Sequence, residues 1–289
     1  MRSEQEMMEL ILHVARQDER VRAVGMNGSR TNPNVPKDMF QDYDIVYLVT
    51  DIDSFIQDPH WIDVFGERLI MQMPEAMSMF PPDLGGWFSY LMQFEDGTRI
   101  DMILIPIEDK DKYLQDDKLT VILLDKDQAL PDLPPPTDED YWVKRPSAAY
   151  FADCCNEFWW VCTYVAKGLW RQEILFAQEH LHSIVRPMLM KMLSWKVGIE
   201  TDFSLSVGKC GKYLKTYMTD GAWNKLMATY PNGTYDGVWN ALFTMCGLFR
   251  ETALFVADRL GFEYPMEDDR KVTAYLERVR QLPADATTM

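Results

Sequence analysis

Long apolar runs are missing from this sequence of 289 residues. No stretch approaches the roughly 20 consecutive apolar residues that a membrane-spanning helix needs, so we expect no membrane partner. The first six residues also lack the apolar core of a secretory signal, which favours a cytoplasmic protein. Cysteine is sparse, and the five residues show neither disulfide nor metal-site spacing, as is usual in a reducing compartment.

Positive charge is also in short supply. Lysine and arginine total 29 against 45 acidic residues, which gives a formal net charge of −16 at pH 7. Nucleic-acid phosphates would be repelled, so we expect no nucleic acid as a main partner. A cationic substrate fits this charge better, although many acidic proteins use net charge only for solubility.

The pattern of the chain changes near a stiff, acidic segment. Residues 131–140 contain four prolines and four acids, a composition typical of a domain boundary. Short apolar runs separated by turns come before this segment, and long helical patterns follow it. We therefore predict an α+β protein, with a mixed β-sheet domain and flanking helices over residues 1–135 and an all-α helical bundle over residues 136–289.

Apolar periodicity predicts the individual elements. Strands are predicted over residues 21–26, 42–50, 68–73, 87–94, 99–105 and 121–124. Helices are predicted over residues 3–19, 53–65, 146–170, 172–195, 211–217, 221–230, 235–260 and 266–282. Pro187 should kink or end its helix, Gly261 should end the helix before it, and Asp96-Gly97 should form the turn of a hairpin.

The most informative stretch begins at Gly28 and ends in the second predicted strand. Asp42 and Asp44 are two residues apart, so their side chains share a face of the strand about 7 Å apart. Carboxylates this close repel each other unless a cation lies between them, and Mg²⁺ is the usual cation when a polyphosphate is present. Gly28 would let the backbone approach a phosphate, and Ser29 could donate a hydroxyl or a backbone N–H. The alternative is an ordinary turn at Gly28-Ser29 and a strand cap at Asp42, but a buried Asp44 would still need a partner.

A third acid stands in a similar setting. Asp101 lies within an apolar predicted strand, where it shares a face with Arg99 and Ile103. One interpretation is a third carboxylate of the same site. The other is an acid paired with Arg99, which is a common structural arrangement.

The spacing of these residues resembles the nucleotidyltransferase superfamily of DNA polymerase β. Its signature is Gly-Ser or Gly-Gly, a spacer and an acid–apolar–acid triplet, and here the spacer between Gly28-Ser29 and Asp42-Tyr43-Asp44 is 12 residues long. The resemblance implies a two-metal site at Asp42, Asp44 and Asp101, in which the ions stabilise the attacking and leaving oxygens. It also implies that Asp101 acts as general base, second-metal ligand or both. The implied nucleotide contacts are Gly28, Ser29 and Arg30.

Longer stretches narrow the resemblance to the bacterial aminoglycoside 6-adenylyltransferases. The matching stretches are residues 26–33, 40–45, Phe94-Glu95-Asp96-Gly97-Thr98-Arg99-Ile100-Asp101, residues 180–181, 192–195 and Gly208-Lys209-Cys210-Gly211-Lys212-Tyr213-Leu214. They lie in both halves of the chain. This resemblance implies transfer of AMP from ATP to the 6-hydroxyl of streptomycin, with Mg²⁺ as cofactor and pyrophosphate as product. Periodicity and spacing alone predict only a metal-dependent nucleotidyltransferase, and the antibiotic substrate comes from the resemblance.

The acidic charge agrees with such a substrate, because the guanidinium groups of streptomycin pair well with carboxylates. The candidate drug-binding acids are Glu95, Glu173 and Glu179, each of which could instead be an ordinary solvated acid. Lys212 is the candidate contact of the second domain with the triphosphate, and the alternative is a solvated lysine.

Two weaker patterns are rejected. The segment from Gly208 to Lys212 lacks the spacer and the Ser or Thr of a P-loop. His180 and His182 are two apart on a predicted helix, so they do not form a shared metal site. Two other functions stay open: a nucleotidyltransferase that acts on another small molecule or a protein side chain, and a catalytically silent nucleotide-binding module.

Overall fold

The computed structural model describes residues 1–58 and 60–288, which form two compact units, Met1–Asp140 and Tyr141–Met289. The boundary predicted between residues 135 and 136 lies just before this division, in the proline-rich segment. The assignment of the two units to a nucleotidyltransferase domain and a helical domain stays a proposal.

One mixed sheet forms the centre of the first unit. Within its described residues the strands are β1 (Val21–Asn27), β2 (Tyr43–Val49), β3 (Arg68–Gln72), β4 (Phe88–Phe94), β5 (Arg99–Pro106) and β6 (Thr120–Asp125). The strand order is β3-β4-β5-β2-β1-β6. The β2–β5 pair is parallel and the other pairs are antiparallel. All six strands overlap the predicted ones, and the predicted α+β class is confirmed.

Helices flank this sheet. They are α1 (Glu4–Gln17), α2 (Asp53–Ile56) and α3 (Lys110–Asp116). Helix α1 begins with a capping box at Ser3 and buries Met7, Ile11 and Ala15, whose spacing of four places them on one face. The Tyr47 hydroxyl of β2 donates to the Ile11 carbonyl at 2.6 Å, so the central strand and α1 are joined by a buried hydrogen bond.

The single helix predicted over residues 53–65 is wrong for the part that the structure describes. Helix α2 ends at Ile56, and a 3₁₀ segment follows at Trp61–Phe65. Residue 59, a proline, lies outside the described residues. The sequence explains the break, because a residue before proline is disfavoured in the helical conformation.

The second unit is helical, as predicted. Its helices within the described residues are α4 (Ala148–Trp170), α5 (Ile174–His180), α6 (Arg186–Glu200), α7 (Leu214–Tyr217), α8 (Asp220–Met227), α9 (Tyr235–Leu260) and α10 (Met266–Gln281). A π-helical segment, Leu181–Val185, joins α5 to α6 just before Pro187. The α-helix is therefore interrupted just before the proline, although the backbone stays helical and Pro187 itself lies in the first turn of α6. Helix α9 ends at Gly261 in the left-handed conformation, again as predicted.

The helix predicted over residues 211–217 is much shorter, because the loop before it is irregular. Gly208, Cys210 and Gly211 have φ angles of +74°, +57° and +74°, which an α-helix cannot contain. Only Leu214–Tyr217 remains α-helical. None of the helices in the described ranges combines the length and hydropathy that a bilayer span requires.

Four of the five cysteines are buried in the helical core, and Cys210 is exposed. All five are free thiols, which agrees with the absence of disulfide spacing in the sequence. Burial raises the pKa of the Cys154 and Cys155 thiols well above the ordinary value.

A buried carboxylate ties α9 to α10. Asp269 is 1% exposed, and its two oxygens accept from the Arg250 guanidinium, while Oδ2 also accepts from the Tyr264 hydroxyl at 2.7 Å. The Asp269→Asn variant should lower the free energy of unfolding by about 2–4 kcal/mol, because it leaves Arg250 without its charge partner. Urea unfolding of the purified protein measures this loss.

Glu267→Gln is the matched control, because Glu267 pairs with Arg270 and Lys271 at the exposed surface of the same helix. Its unfolding curve should hardly move. Equal losses in the two variants would show that burial of Asp269 does not decide the effect.

Candidate active site

Three acids meet on the two central strands of the sheet. In the parallel pairing of β2 with β5, Asp44 lies directly opposite Asp101. Asp42 comes immediately before β2, two residues from Asp44. The structure therefore places the three acidic residues that the sequence singled out on two neighbouring strands, and their roles stay predictions.

Gly28 lies against one of these carboxylates. It follows β1, in which Asn27 is paired with Asp44, and it begins a 3₁₀ segment, Gly28–Arg30. Its φ of +74° favours glycine, and a Cβ atom there would lie 2.2 Å from Asp44 Oδ2. The close approach that the sequence suggested for a phosphate is thus made here by the Asp44 carboxylate.

Arg30 fixes the backbone that leads into β2. Its guanidinium is almost fully buried and lies 3.7 Å from the Tyr43 ring centroid. Nε donates to the Asp42 carbonyl at 3.0 Å, and Nη2 donates to the Gln41 carbonyl at 2.8 Å. Gln41 in turn donates from Nε2 to the Ser29 carbonyl at 3.2 Å. Arg30 therefore positions Asp42 through its main chain, and a contact of Arg30 with nucleotide stays a prediction.

The electrostatics of the site oppose full ionisation. Burial, followed by the neighbouring charges of Asp101 and Asp42, raises the pKa of Asp44 from 3.8 to about 6. Burial also raises the pKa of Asp42. At neutral pH the protein therefore holds closely spaced negative charges at a cost, and a divalent cation would relieve it.

Arg99 already supplies a positive charge to these acids. Its Nε lies 2.7 Å from Asp101 Oδ1, and its Nη2 lies 2.7 Å from Asp101 Oδ2. The same Nε is 3.6 Å from Asp42 Oδ2. The ion pair that the sequence left open as an alternative is therefore formed, and this hydrogen bonding raises the pKa of Arg99.

As the side chains stand, no three acidic, imidazole or thiol groups among the described residues gather closely enough to hold a metal ion. The donor chemistry nevertheless fits magnesium, which prefers carboxylate oxygens. Arg99 pairs with Asp101 in this structure, and the role of Asp101 as a metal ligand stays a prediction.

A cavity of about 590 Å³ adjoins Arg99 in the first unit. Gln93 of β4 is paired with Arg99, and Leu91 is paired with Asp101. The cavity is lined by Arg99, Gln72, Gln93, Leu91, Met71 and Met73, among others. It therefore provides open, largely apolar space beside Arg99, on the side of β5 away from β2.

The second unit contains a larger cavity, of about 1210 Å³, with a basic lining. The basic side chains that line it are Lys144, Arg145, Arg186, Lys191 and Lys209. Arg186 is 7% exposed, and its Nη1 donates to Thr229 Oγ1 at 2.7 Å while its Nη2 donates to the Thr229 carbonyl at 2.6 Å. Burial lowers the pKa of Arg186. A cavity of this charge suits an anionic ligand.

Sequence reasoning missed this cavity, because Arg186 looks like an ordinary helical cation. One signal was present: positions 182, 183, 189 and 190, one helical turn away on either side, hold no acid. Lys212, the predicted phosphate contact, is exposed and follows the Gly208–Gly211 loop that lines the cavity. Its Nζ lies 5.0 Å from the Tyr213 ring centroid.

The three predicted drug-binding acids are all exposed. Glu95 directly follows β4, and its N–H donates to the Glu67 carbonyl at 3.0 Å. Glu173 directly precedes α5, and Glu179 on α5 accepts from the Ser183 hydroxyl at 2.6 Å. Glu95 belongs to the first unit and the other two to the second, so each stays a separate prediction.

Comparisons with known proteins cover nearly the whole chain. A family model described as streptomycin adenylyltransferase matches residues 1–279. An aminoglycoside 6-adenylyltransferase of Bacillus subtilis is 49% identical over 280 residues, which is 96% of this chain and 98% of the relative. One of Campylobacter jejuni is 47% identical over 281 residues, 97% of each chain. A solved structure, an aminoglycoside 6-adenyltransferase from Bacillus subtilis, is 44% identical over 98% of this chain and 100% of its own, with a TM-score of 0.49.

The raised pKa of Asp44 predicts a pH-dependent effect of Asp44→Asn on stability. A folded-state pKa of about 6, above the ordinary 3.8, means that the metal-free wild type loses stability as pH rises from about 4 to 6. The variant should therefore be more stable than wild type by on the order of 1–3 kcal/mol near pH 7.5, and by much less near pH 4. Urea unfolding in the presence of EDTA at both pH values measures the difference.

Asp127→Asn provides the control of opposite sign. The hydrogen bond from Arg22 lowers the pKa of Asp127, so this variant should lose stability near neutral pH. If Asp44→Asn gave the same gain at both pH values, its effect would come from packing and not from charge.

Proposed function

Because the chain belongs to the streptomycin adenylyltransferase family, we propose that it transfers AMP from ATP to the 6-hydroxyl of streptomycin. The reaction requires Mg²⁺, releases pyrophosphate and confers resistance to the antibiotic. The observation that carries this proposal is the fixed register of Asp44 opposite Asp101, in a chain that aligns with its relatives over nearly their full length. A cytoplasmic location is part of the proposal, since ATP is a substrate and the cysteines are free thiols.

Asp42, Asp44 and Asp101 are the residues that would hold the divalent ions. The crowded charge that raises the pKa of Asp44 supports this assignment, as does the hard oxygen chemistry of all three side chains. When bound, such ions balance the charge of the triphosphate and stabilise the attacking and leaving oxygens.

Asp101 is the proposed general base. It takes the proton of the acceptor hydroxyl while the acceptor oxygen bonds to the α-phosphorus, and the bond from that phosphorus to the departing pyrophosphate breaks. One oxygen of Asp101 must first be released by Arg99, which engages both. Gly28 and Ser29 are proposed to offer backbone N–H groups to the phosphates from the turn that follows β1.

The basic cavity of the second unit supports a role of that unit in holding the anionic nucleotide. Arg186, Lys191 and Lys209 surround a space large enough for such a ligand. Lys212 directly follows the loop that contains Lys209 and is the proposed contact with the triphosphate. The exposed acids Glu95, Glu173 and Glu179 are the proposed partners of the drug's cationic groups.

Asp101→Asn tests the reaction directly. An amide at this position accepts no proton and ligates metal poorly, so the rate of transfer should fall by roughly 10²–10⁴-fold, while ATP binding should persist. Pyrophosphate release, measured with ATP and Mg²⁺ and a panel of aminoglycosides, lincosamides and no acceptor, gives the rate. Equilibrium dialysis with labelled ATP gives the binding.

Wild type should release pyrophosphate with streptomycin, and Asp116→Asn, an exposed acid of α3, should match it. If pyrophosphate were released only with another acceptor, that acceptor would be the substrate in place of streptomycin. Full activity in Asp101→Asn would remove Asp101 from the chemistry, and ATP binding without turnover on any acceptor would favour a silent nucleotide-binding module.

Lys212→Ala tests the proposed phosphate contact of the second unit. Loss of one phosphate-binding charge should raise the KM for ATP by roughly tenfold, with a smaller effect on the KM for streptomycin. Steady-state kinetics with each substrate varied in turn measure both constants. Lys225→Ala, an exposed lysine of α8 paired with Glu251, is the control and should leave both constants unchanged. An unchanged KM for ATP in Lys212→Ala would show that this lysine does not contact the triphosphate and is only a solvated surface residue.

A further inference from the structure

Arg99 is the cation that is already paired with two acids of the candidate site, Asp101 and Asp42. Both oxygens of Asp101 accept from it in a bidentate pair at 2.7 Å, and Asp42 Oδ2 lies 3.6 Å from its Nε. Bidentate pairing between guanidinium and carboxylate is both directional and strong for an ion pair. While this pair stays closed, both Asp101 oxygens are engaged.

The environment of Arg99 differs from that of the other arginine near the site. Arg30 is 7% exposed, and besides a 3.4 Å ion pair with Glu4 it donates to the main-chain carbonyls of Asp42 and Gln41, so it is a fixed part of the fold. Arg99 is 39% exposed, and its partners are carboxylates. A half-exposed guanidinium can leave its partner at little desolvation cost, so the pair at Asp101 is exchangeable.

We propose that Arg99 is an internal counter-ion, which occupies Asp101 and Asp42 in the metal-free protein and is displaced when a divalent cation binds. Arg99 then acts on metal binding as a competitor: it neutralises the carboxylates of the metal-free protein and so weakens the affinity of the protein for metal alone. The proposal rests on the proposed function in one respect, namely that Asp42, Asp44 and Asp101 are the metal ligands.

The structure provides space for the displaced side chain. Arg99 itself lines the cavity of about 590 Å³, together with Gln72 and Gln93. Glutamine side chains carry a neutral acceptor oxygen, and the cavity lies on the side of β5 away from β2. A rotation of the long arginine side chain therefore opens Asp101 without a movement of the sheet.

Arg99→Gln tests the counter-ion by the affinity for metal, not by activity. With EDTA-stripped protein and no nucleotide, the electron paramagnetic resonance signal of free Mn²⁺ measures how much of this ion binds. Removal of the competing guanidinium should tighten Mn²⁺ binding by about tenfold. A purely structural arginine would act in the other direction, because its loss would loosen the acids and weaken binding.

Two further variants isolate the effect. Arg22→Gln removes the same charge from the pair with Asp127 elsewhere in the unit and should leave Mn²⁺ affinity at the wild-type value. In an Asp101→Asn background, Arg99→Gln should produce much less than its effect in wild type, since the competed ligand is already gone. Arg99→Lys keeps the positive charge without the bidentate pair and should tighten Mn²⁺ binding by a smaller factor. It provides a second measurement if Arg99→Gln folds poorly.

The outcomes separate the two proposals. Mn²⁺ binding that is unchanged or weaker in Arg99→Gln and Arg99→Lys, with clear binding by wild type, would overturn the counter-ion while leaving the proposed function in place. Binding by Arg99→Gln but not by wild type would support the counter-ion strongly. Absence of binding in every variant would overturn both the metal ligands and the counter-ion.

Discussion

The parallel pairing of β2 with β5 is the constraint on which the candidate site depends. It places Asp44 directly opposite Asp101, at the ends of two strands that are adjacent in space but more than fifty residues apart in sequence. Parallel neighbours need a crossover connection, and here the chain between them forms β3 and β4 on the far side of β5. The hairpin that begins β5 therefore helps to determine where Asp101 lies.

This pairing also concentrates negative charge, and neighbouring cations and glycine accommodate it. Gly28 leaves room for the Asp44 carboxylate, Arg30 fixes the main chain at Asp42, and Arg99 neutralises Asp101. The raised pKa of Asp44 shows that this balance is incomplete in the metal-free protein. Partly buried charge that is incompletely balanced is common at functional sites, where function takes precedence over stability.

Local patterns predicted much of this structure. Alternation placed Asp42 and Asp44 on one face of the second predicted strand and Asp101 beside Arg99 within an apolar strand, and Asp96-Gly97 predicted the hairpin, which is confirmed. Features set by distant contacts were not predictable. The approach of Gly28 to Asp44 depends on pairing between strands, and the burial of Arg186 depends on Thr229 and Tyr230, more than forty residues away. The irregular loop before α7 was also missed, because positive φ at Cys210 has no signal in hydrophobic periodicity.

The distribution of the cysteines has a practical consequence for spectroscopy. Since four thiols are buried and Cys210 is exposed, a maleimide dye or spin label applied to the folded wild-type chain should attach at one place. That place is two residues from Lys212, at the rim of the basic cavity. The natural sequence therefore carries its own reporter for events in this loop, and no background cysteine has to be removed before it is used.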